Sequence, residues 1–282
     1  MTARAHEALD KIEGGAAVRT LHTMLGAIAG DVIGSVHEHI GTKTTDFELF
    51  APGCTFTDDT VLAVAVADCL MNGFEYVDAF REYFFAYPNA GYGLRFFHWA
   101  RSGDRNPYKS YGNGSAMRVP AVAYAFDSLD EVLAQAARSA EVTHSHPEGV
   151  KGAQATAAAV FMARHGESKR HIKESLERMF GYDLNERVDD LRPTYRFDES
   201  CQRTVPPAII CFLESSDYED AVRKAISLGG DADTLACITG AIAEAHYGGV
   251  PPGIITRTLA ALDDRLLTVV LQFCERYGIA AA

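Results

Sequence analysis

Apolar positions recur along the chain at spacings of three and four. Val61, Leu62, Ala65, Val66, Cys69 and Leu70 form one such series; Val132, Ala136 and Ala140 form another; Leu267, Val270, Leu271 and Cys274 form a third. This spacing lines apolar side chains along one face of an α-helix. Alanine-rich stretches at residues 154–163 and 238–245 suit close helix–helix packing, because small side chains let two backbones approach. No segment alternates with period two between hairpin turns, and the nearest approach, residues 194–197, is too short to weigh as a strand. Turn signals such as Pro52-Gly53, Asn106-Pro107, Gly112-Asn113-Gly114, Pro206-Pro207, Gly229-Gly230 and Pro251-Pro252-Gly253 separate the helices. They are spread evenly, so no linker divides the chain. The pattern predicts one compact all-α domain of orthogonally packed helices over residues 19–282, behind a polar N-terminal extension at residues 1–18. Residues 185–203 are charged and interrupted by Pro193, and read as a surface loop between helices.

Charge narrows the partners. Lys and Arg total 26 against 38 Asp and Glu, a net charge of −12. A field of that sign repels nucleic acid and anionic lipid. A phosphate-bearing ligand then needs local help from metal ions or helix N-termini. The longest apolar stretches, residues 24–36 and 235–243, are too short to span a bilayer, and Asp31 breaks the first. The first twenty residues lack the apolar run of an export signal. Cys54, Cys69, Cys201, Cys211, Cys237 and Cys274 form no CxxC pair, and read as reduced thiols of a cytoplasmic protein.

Two acidic clusters carry the clearest chemistry. Thr57-Asp58-Asp59-Thr60 precedes one apolar helix, and Asp231-Ala232-Asp233-Thr234 follows a Gly-Gly turn and precedes another. Capping accounts for either alone, since Thr and Asp satisfy the free N–H groups of a first helical turn and Asp complements its dipole. Together they set four carboxylates and several hydroxyls at two helix starts. An oxygen-only set of this kind suits hard divalent cations such as Mg²⁺ or Mn²⁺ and not zinc. Without cations, four converging aspartates would repel one another. Other segments carry weaker signals. Asp31, in an apolar helix, reads as a satisfied core polar group. Glu38 ends the same helix, where a glutamate is usually solvated. Residues 108–118 contain Gly112-Asn113-Gly114, which is either an ordinary turn or a backbone cradle for a pyrophosphate. Thr143-His144-Ser145-His146 is either a hydrogen-bonded cap or a partial ligand set. The aromatic run Phe96, Phe97 and Trp99 reads as core. GxSxG and HExxH are absent, which removes the α/β-hydrolase elbow and the zincin helix.

In this order the motifs resemble the ADP-ribosylglycohydrolase family. The matching blocks are Met24-Leu25-Gly26 through Gly34 to Glu38; Phe56-Thr57-Asp58-Asp59-Thr60; Gly91-Tyr92-Gly93; Gly112-Asn113-Gly114-Ser115-Ala116-Met117-Arg118; and Leu228-Gly229-Gly230-Asp231-Ala232-Asp233-Thr234, with Thr143-His144 before a long helix. The resemblance covers residues 20–260. It implies an all-α fold with a central cleft and two divalent cations, Mg²⁺ or Mn²⁺, held by Thr57, Asp58, Asp59, Asp231, Asp233 and Thr234. It implies catalytic roles for Glu38, Asp58 and Asp233, and contacts to ADP-ribose from Gly93, Ser110, Tyr111, Gly112, Asn113 and His144. The activity it implies is cleavage of the glycosidic bond between ADP-ribose and an acceptor, which in this family covers Arg, Ser, ester and nucleic-acid linkages. Glu38 would transfer the proton. The turn at residues 112–114 and a helix N-terminus behind it would hold the diphosphate. A binding module without turnover and a dinuclear-metal phosphohydrolase are the competing readings.

Overall fold

The helical pattern is realised in fourteen α-helices among residues 21–280, the part of the chain that the computed structural model describes. The expected N-terminal extension, residues 1–18, lies outside them. In chain order the helices are α1 (Leu25–Gly34), α2 (Asp58–Asn72), α3 (Tyr76–Ala86), α4 (Leu94–Ser102), α5 (Val122–Ala125), α6 (Leu129–Glu141), α7 (Pro147–Arg164), α8 (Lys169–Phe180), α9 (Val188–Leu191), α10 (Cys201–Glu214), α11 (Tyr218–Ser227), α12 (Ala232–Tyr247), α13 (Pro252–Ala261) and α14 (Asp264–Tyr277). Leu21–His22 pairs antiparallel with Ile279–Ala280, the one sheet among the described residues. None of these helices is long and apolar enough to cross a membrane.

Helices α1 and α12 form the centre. Both are buried all round, as core helices without a solvent face must be. The alanine-rich α12 packs against α1, α7, α10 and α11. Its contact with α1 is backbone on backbone. Gly26, Gly30 and Gly34 lie four residues apart on one face of α1. A Cβ on Gly26 would overlap the Gly240 carbonyl, one on Gly30 the Ala236 carbonyl, and one on Gly34 would stand 2.5 Å from Asp233 Cα. No larger side chain fits, so these glycines fix the distance between the two helices. The C-terminus of α1 is thereby pressed onto the N-terminus of α12, which brings Glu38 to Asp233.

The other end of α1 lacks a local cap, since Met24 offers none. Glu244 of α12 supplies it, accepting hydrogen bonds from Thr23 N (3.1 Å) and Gly26 N (2.7 Å). Gly26 N is one of the N–H groups that a helix start leaves without an intrahelical partner, and Thr23 N lies just before the cap.

Two expectations are corrected. Pro206-Pro207 does not end a helix; both prolines lie inside α10. Pro207 has no N–H to give to the carbonyl four residues back, that of Arg203. The Tyr195 hydroxyl donates to that oxygen instead, at 2.7 Å, and the helix continues. Residues 185–203 are not simply a surface loop. They contain the single turn α9, bury Val188 and Tyr195, and deliver Glu199 to the cleft described next.

Candidate active site

The site begins at the start of α2. Thr57 is the N-cap, in extended conformation, and its Oγ1 accepts from Asp59 N at 3.2 Å. The cap is itself clamped from α1. Asp31 accepts from Thr57 N (3.0 Å), Thr57 Oγ1 (2.7 Å), Thr60 N (3.1 Å) and the Thr60 hydroxyl. Asp31 is therefore a satisfied core polar group, and it ties the turn before α2 to α1. Burial pushes its carboxyl upward, and these four hydrogen bonds oppose the shift. Capping thus explains Thr57 and leaves Asp58 and Asp59 unexplained. Asp59 is buried, and its Oδ2 has no hydrogen-bond partner.

The start of α12 departs further from a capping role. Asp231 stands at the N-cap and makes no side-chain capping bond. Its Oδ2 instead accepts from Asn113 Nδ2 at 2.7 Å. Asp233 Oδ1 accepts from Thr234 N at 3.0 Å, and Thr234 Oγ1 reaches across to Asp59 Oδ1 at 3.4 Å. The two helix starts therefore face each other. Glu38 joins them, with a carboxylate oxygen that lies within 4.8 Å of oxygens from both Asp231 and Asp233.

This arrangement is costly for ionised groups. Asp58, Asp59 and Asp233 are pushed well above the usual carboxylate range, by burial first and by the neighbouring aspartates second. Glu38 is raised by burial and then by Asp231. Among the described residues no Lys or Arg forms an ion pair with any of these five acids; only the exposed His39 ring approaches Glu38, at 3.6 Å. A buried carboxylate oxygen without a donor, in an oxygen-rich cluster, suits a hard divalent ion. The donor set therefore fits Mg²⁺ or Mn²⁺.

The cluster lines a cavity of about 270 Å³, and of the residues to which the family resemblance gives a site role all but Tyr111 line it. Tyr111 is 49% exposed and sets its ring edge against His146. Gly93, Ser110, Gly112, Asn113 and His144 share the cavity with the acids. The role expected for residues 112–114 changes in two ways. Gly112 N already donates to Ser110 Oγ (3.1 Å), and Asn113 N to Glu199 O (2.6 Å). The helix behind them is a single 3₁₀ turn, Asn113–Ser115, too short to sum a useful dipole. The Asn113 side chain is committed at one end and lines the cavity. It is buried, and Nδ2 donates to both Asp231 and Thr204.

Three charged lining residues had no assigned role in the sequence. Glu199 enters from the 185–203 segment, and its carboxyl is raised by burial and then by Asp231. Arg95 lies over the Tyr108 ring at 5.0 Å and donates to the Tyr108 carbonyl. Arg118 is fully buried, 4.4 Å from the Phe80 ring centre, and has no ion-pair partner among the described residues. It donates to Ser139 O (2.6 Å) and Thr143 Oγ1 (3.0 Å). Only the Asn-Gly turn motif that contains Arg118 pointed toward it, and nothing in the local sequence marked Glu199.

The sequence model described as ADP-ribosylglycohydrolase matches residues 15–279. The chain is 29% identical to ADP-ribosylhydrolase ARH3 of Bos taurus, with 80% of this chain and 84% of that protein covered. It is 28% identical to the Homo sapiens ARH3 over the same shares, and 24% identical to ADP-ribosylarginine hydrolase Tri1 of Pseudomonas putida over 89% of this chain and 75% of that one. A solved structure titled ADP-ribosylglycohydrolase-related protein complex superposes with a TM-score of 0.69 at 26% identity, covering 91% of this chain and 97% of that one. A match across almost the full length, on the same helical architecture, makes the chain a member of the ADP-ribosylglycohydrolase family.

Proposed function

We propose that this protein is a divalent-cation-dependent hydrolase that cleaves the glycosidic bond between ADP-ribose and an acceptor, on a protein or a small molecule, and releases ADP-ribose. The observation that carries this reading is the convergence of two Thr/Asp helix starts and Glu38 in one cleft where, among the described residues, no Lys or Arg pairs with them. The hydrolase names of the relatives support it. Thr57, Asp58, Asp59, Asp231, Asp233 and Thr234 would hold two cations, Mg²⁺ or Mn²⁺. The chemistry that such ions supply when bound is charge neutralisation of the acids and Lewis-acid polarisation of substrate oxygens.

The chain's own groups do the rest. Glu38 is half-buried and its pKa is raised by burial and then by Asp231, which suits a group that holds or accepts a proton as water attacks the anomeric carbon. Glycoside cleavage of this type passes through an oxocarbenium-like transition state, which the surrounding carboxylates favour electrostatically. Ser110 and His144, beside the turn at residues 112–114, would bind the diphosphate. Leu62, Phe96 and Met117 give the cavity an apolar wall that limits water. The six cysteines, all unpaired, fit a cytoplasmic setting.

The test is product analysis on Arg-linked and Ser-linked ADP-ribosyl peptides with Mg²⁺, with Mn²⁺ and with EDTA. Intact ADP-ribose, released only with a cation, is the expected result, and the preferred peptide reports the linkage. Release of AMP or phosphate would replace this reading with a phosphohydrolase, and binding of ADP-ribose with no release would replace it with a binding module. Glu38→Gln should bind ADP-ribose within about twofold of the parent and turn over roughly 10²- to 10⁴-fold more slowly, the usual weight of a general acid–base group.

A further inference from the structure

His144 is buried beside the turn at residues 112–114, and its two ring nitrogens have different surroundings. Nδ1 lies 2.7 Å from Thr143 Oγ1. Nε2 faces the turn: a Cβ on Gly114 would stand 3.3 Å from it, and one on Gly112 3.5 Å. Nε2 has no hydrogen bond to protein among the described residues, and His144 lines the cavity. Which nitrogen carries the proton therefore decides what the cleft presents.

Thr143 Oγ1 also receives Arg118 Nη2 at 3.0 Å. A guanidinium only donates, so Arg118 occupies a lone pair of that oxygen and cannot take its proton. The Thr143 hydroxyl then directs its proton to the group at 2.7 Å, His144 Nδ1. A neutral imidazole that accepts at Nδ1 carries its hydrogen at Nε2. We infer that Arg118 and Thr143 are positioning residues, and that they hold His144 as the Nε2–H tautomer, a fixed N–H donor aimed at an oxygen of a diphosphate ligand. The inference rests on the ADP-ribose reading of the cleft. Burial, with Arg118 and Arg95 as further causes, lowers the His144 pKa well below its ordinary value, so the ring stays neutral and the choice of tautomer matters. Arg118 also places an unpaired positive charge behind the turn, in a chain of net charge −12. The Tyr108 hydroxyl is the rival acceptor beside Thr143, so it belongs in the test.

The experiment is nitrogen NMR of the full chain labelled at histidine, paired with ADP-ribose titration in Mg²⁺. In the parent, Nδ1 of His144 should resonate as a bare nitrogen and Nε2 as N–H. Thr143→Val keeps the shape and removes the hydroxyl; it should mix the tautomers and weaken ADP-ribose binding about tenfold, the weight of one hydrogen bond. Thr143→Ser should restore both readouts to within about twofold, and Tyr108→Phe should leave the tautomer unchanged. A proton on Nδ1 in the parent overturns the inference, as does a Thr143→Val protein with pure Nε2–H and full affinity. If Thr143→Val does not fold, the parent, Thr143→Ser and Tyr108→Phe spectra still decide the tautomer. If the parent binds no ADP-ribose, the reading of the cleft fails while the spectra still decide the relay.

Discussion

Asn113 shows how one residue's role depends on what stands opposite it. Its sequence setting, between two glycines, suggests a backbone cradle. In the fold, Nδ2 is shared between Asp231 at 2.7 Å and Thr204 at 3.0 Å, so Asn113 orients a carboxylate of the acidic cluster. The cluster it serves trades stability for function. Asp233 is buried, raised in pKa by burial and by Asp231 and Asp59, and among the described residues it has no cationic partner. Asp233→Asn keeps the oxygen that accepts from Thr234 N and removes a charge. We expect its Tm without cation to rise by about 2–4 °C, the shift that roughly 1 kcal/mol gives at this chain size. We also expect Mg²⁺ and Mn²⁺ to raise the parent's Tm but not the variant's, and hydrolysis to be lost. A variant melting below the parent, or one that keeps its cation-induced shift, would contradict the role assigned to this carboxylate. The aspartates were legible because a hydroxyl beside paired acids at a helix start is a local pattern. The groups that complete the site were not: the Asp31 clamp spans 26 and 29 residues, and Glu199 arrives from a segment without a motif.

At the level of elements, the contact between α1 and α12 carries the site. Glycines at Gly26, Gly30 and Gly34 let the two backbones touch, and that contact fixes Glu38 against Asp233. Gly30→Ala would drive its methyl into the Ala236 carbonyl, where no flexible side chain can yield. We expect a loss of about 1–3 kcal/mol or more, as overpacking a tight core gives. Turnover should fall further than the loss of folded protein explains, because the two helix ends separate. Gly253→Ala is the control, since a Cβ there meets open space near the start of α13 and should be neutral or stabilising. Equal Tm values for the two variants would refute the close-contact argument. The helices themselves were legible from spacing: the three apolar series fall within α2, α6 and α14, and the alanine-rich stretches within α7 and α12. Pro206-Pro207 was misread because the repair of the helix is tertiary. Local sequence holds no sign that Tyr195 will supply a donor to the Arg203 carbonyl.

Across the whole molecule, the excess of acid is buried as well as exposed, and this sets the response to pH. Glu244 sits at the far end of α12 from Asp233, about 16 Å away at the helical rise. It caps α1, so the two central helices are joined at both ends. Burial raises its pKa to about 7 even though backbone N–H groups favour the charged form. The folded protein therefore holds this proton to higher pH than the unfolded chain, whose glutamate titrates near 4.5. The stability it contributes is complete below about 4.5 and is lost as pH rises through about 7. The acids of the cleft act with the same sign when no cation is present, and His37, His144 and His246, whose pKa values burial lowers, act with the opposite sign, so only the difference between parent and variant isolates Glu244. Glu244→Gln removes the titration and leaves one N–H facing an amide donor, which lowers Tm at every pH by the weight of about one lost hydrogen bond. The informative quantity is the slope. With Mg²⁺ present, the parent's Tm should decline relative to the variant's between about pH 5 and pH 7. Parallel curves would mean that Glu244 is already ionised at pH 5, stabilised by the α1 donors more strongly than burial opposes it.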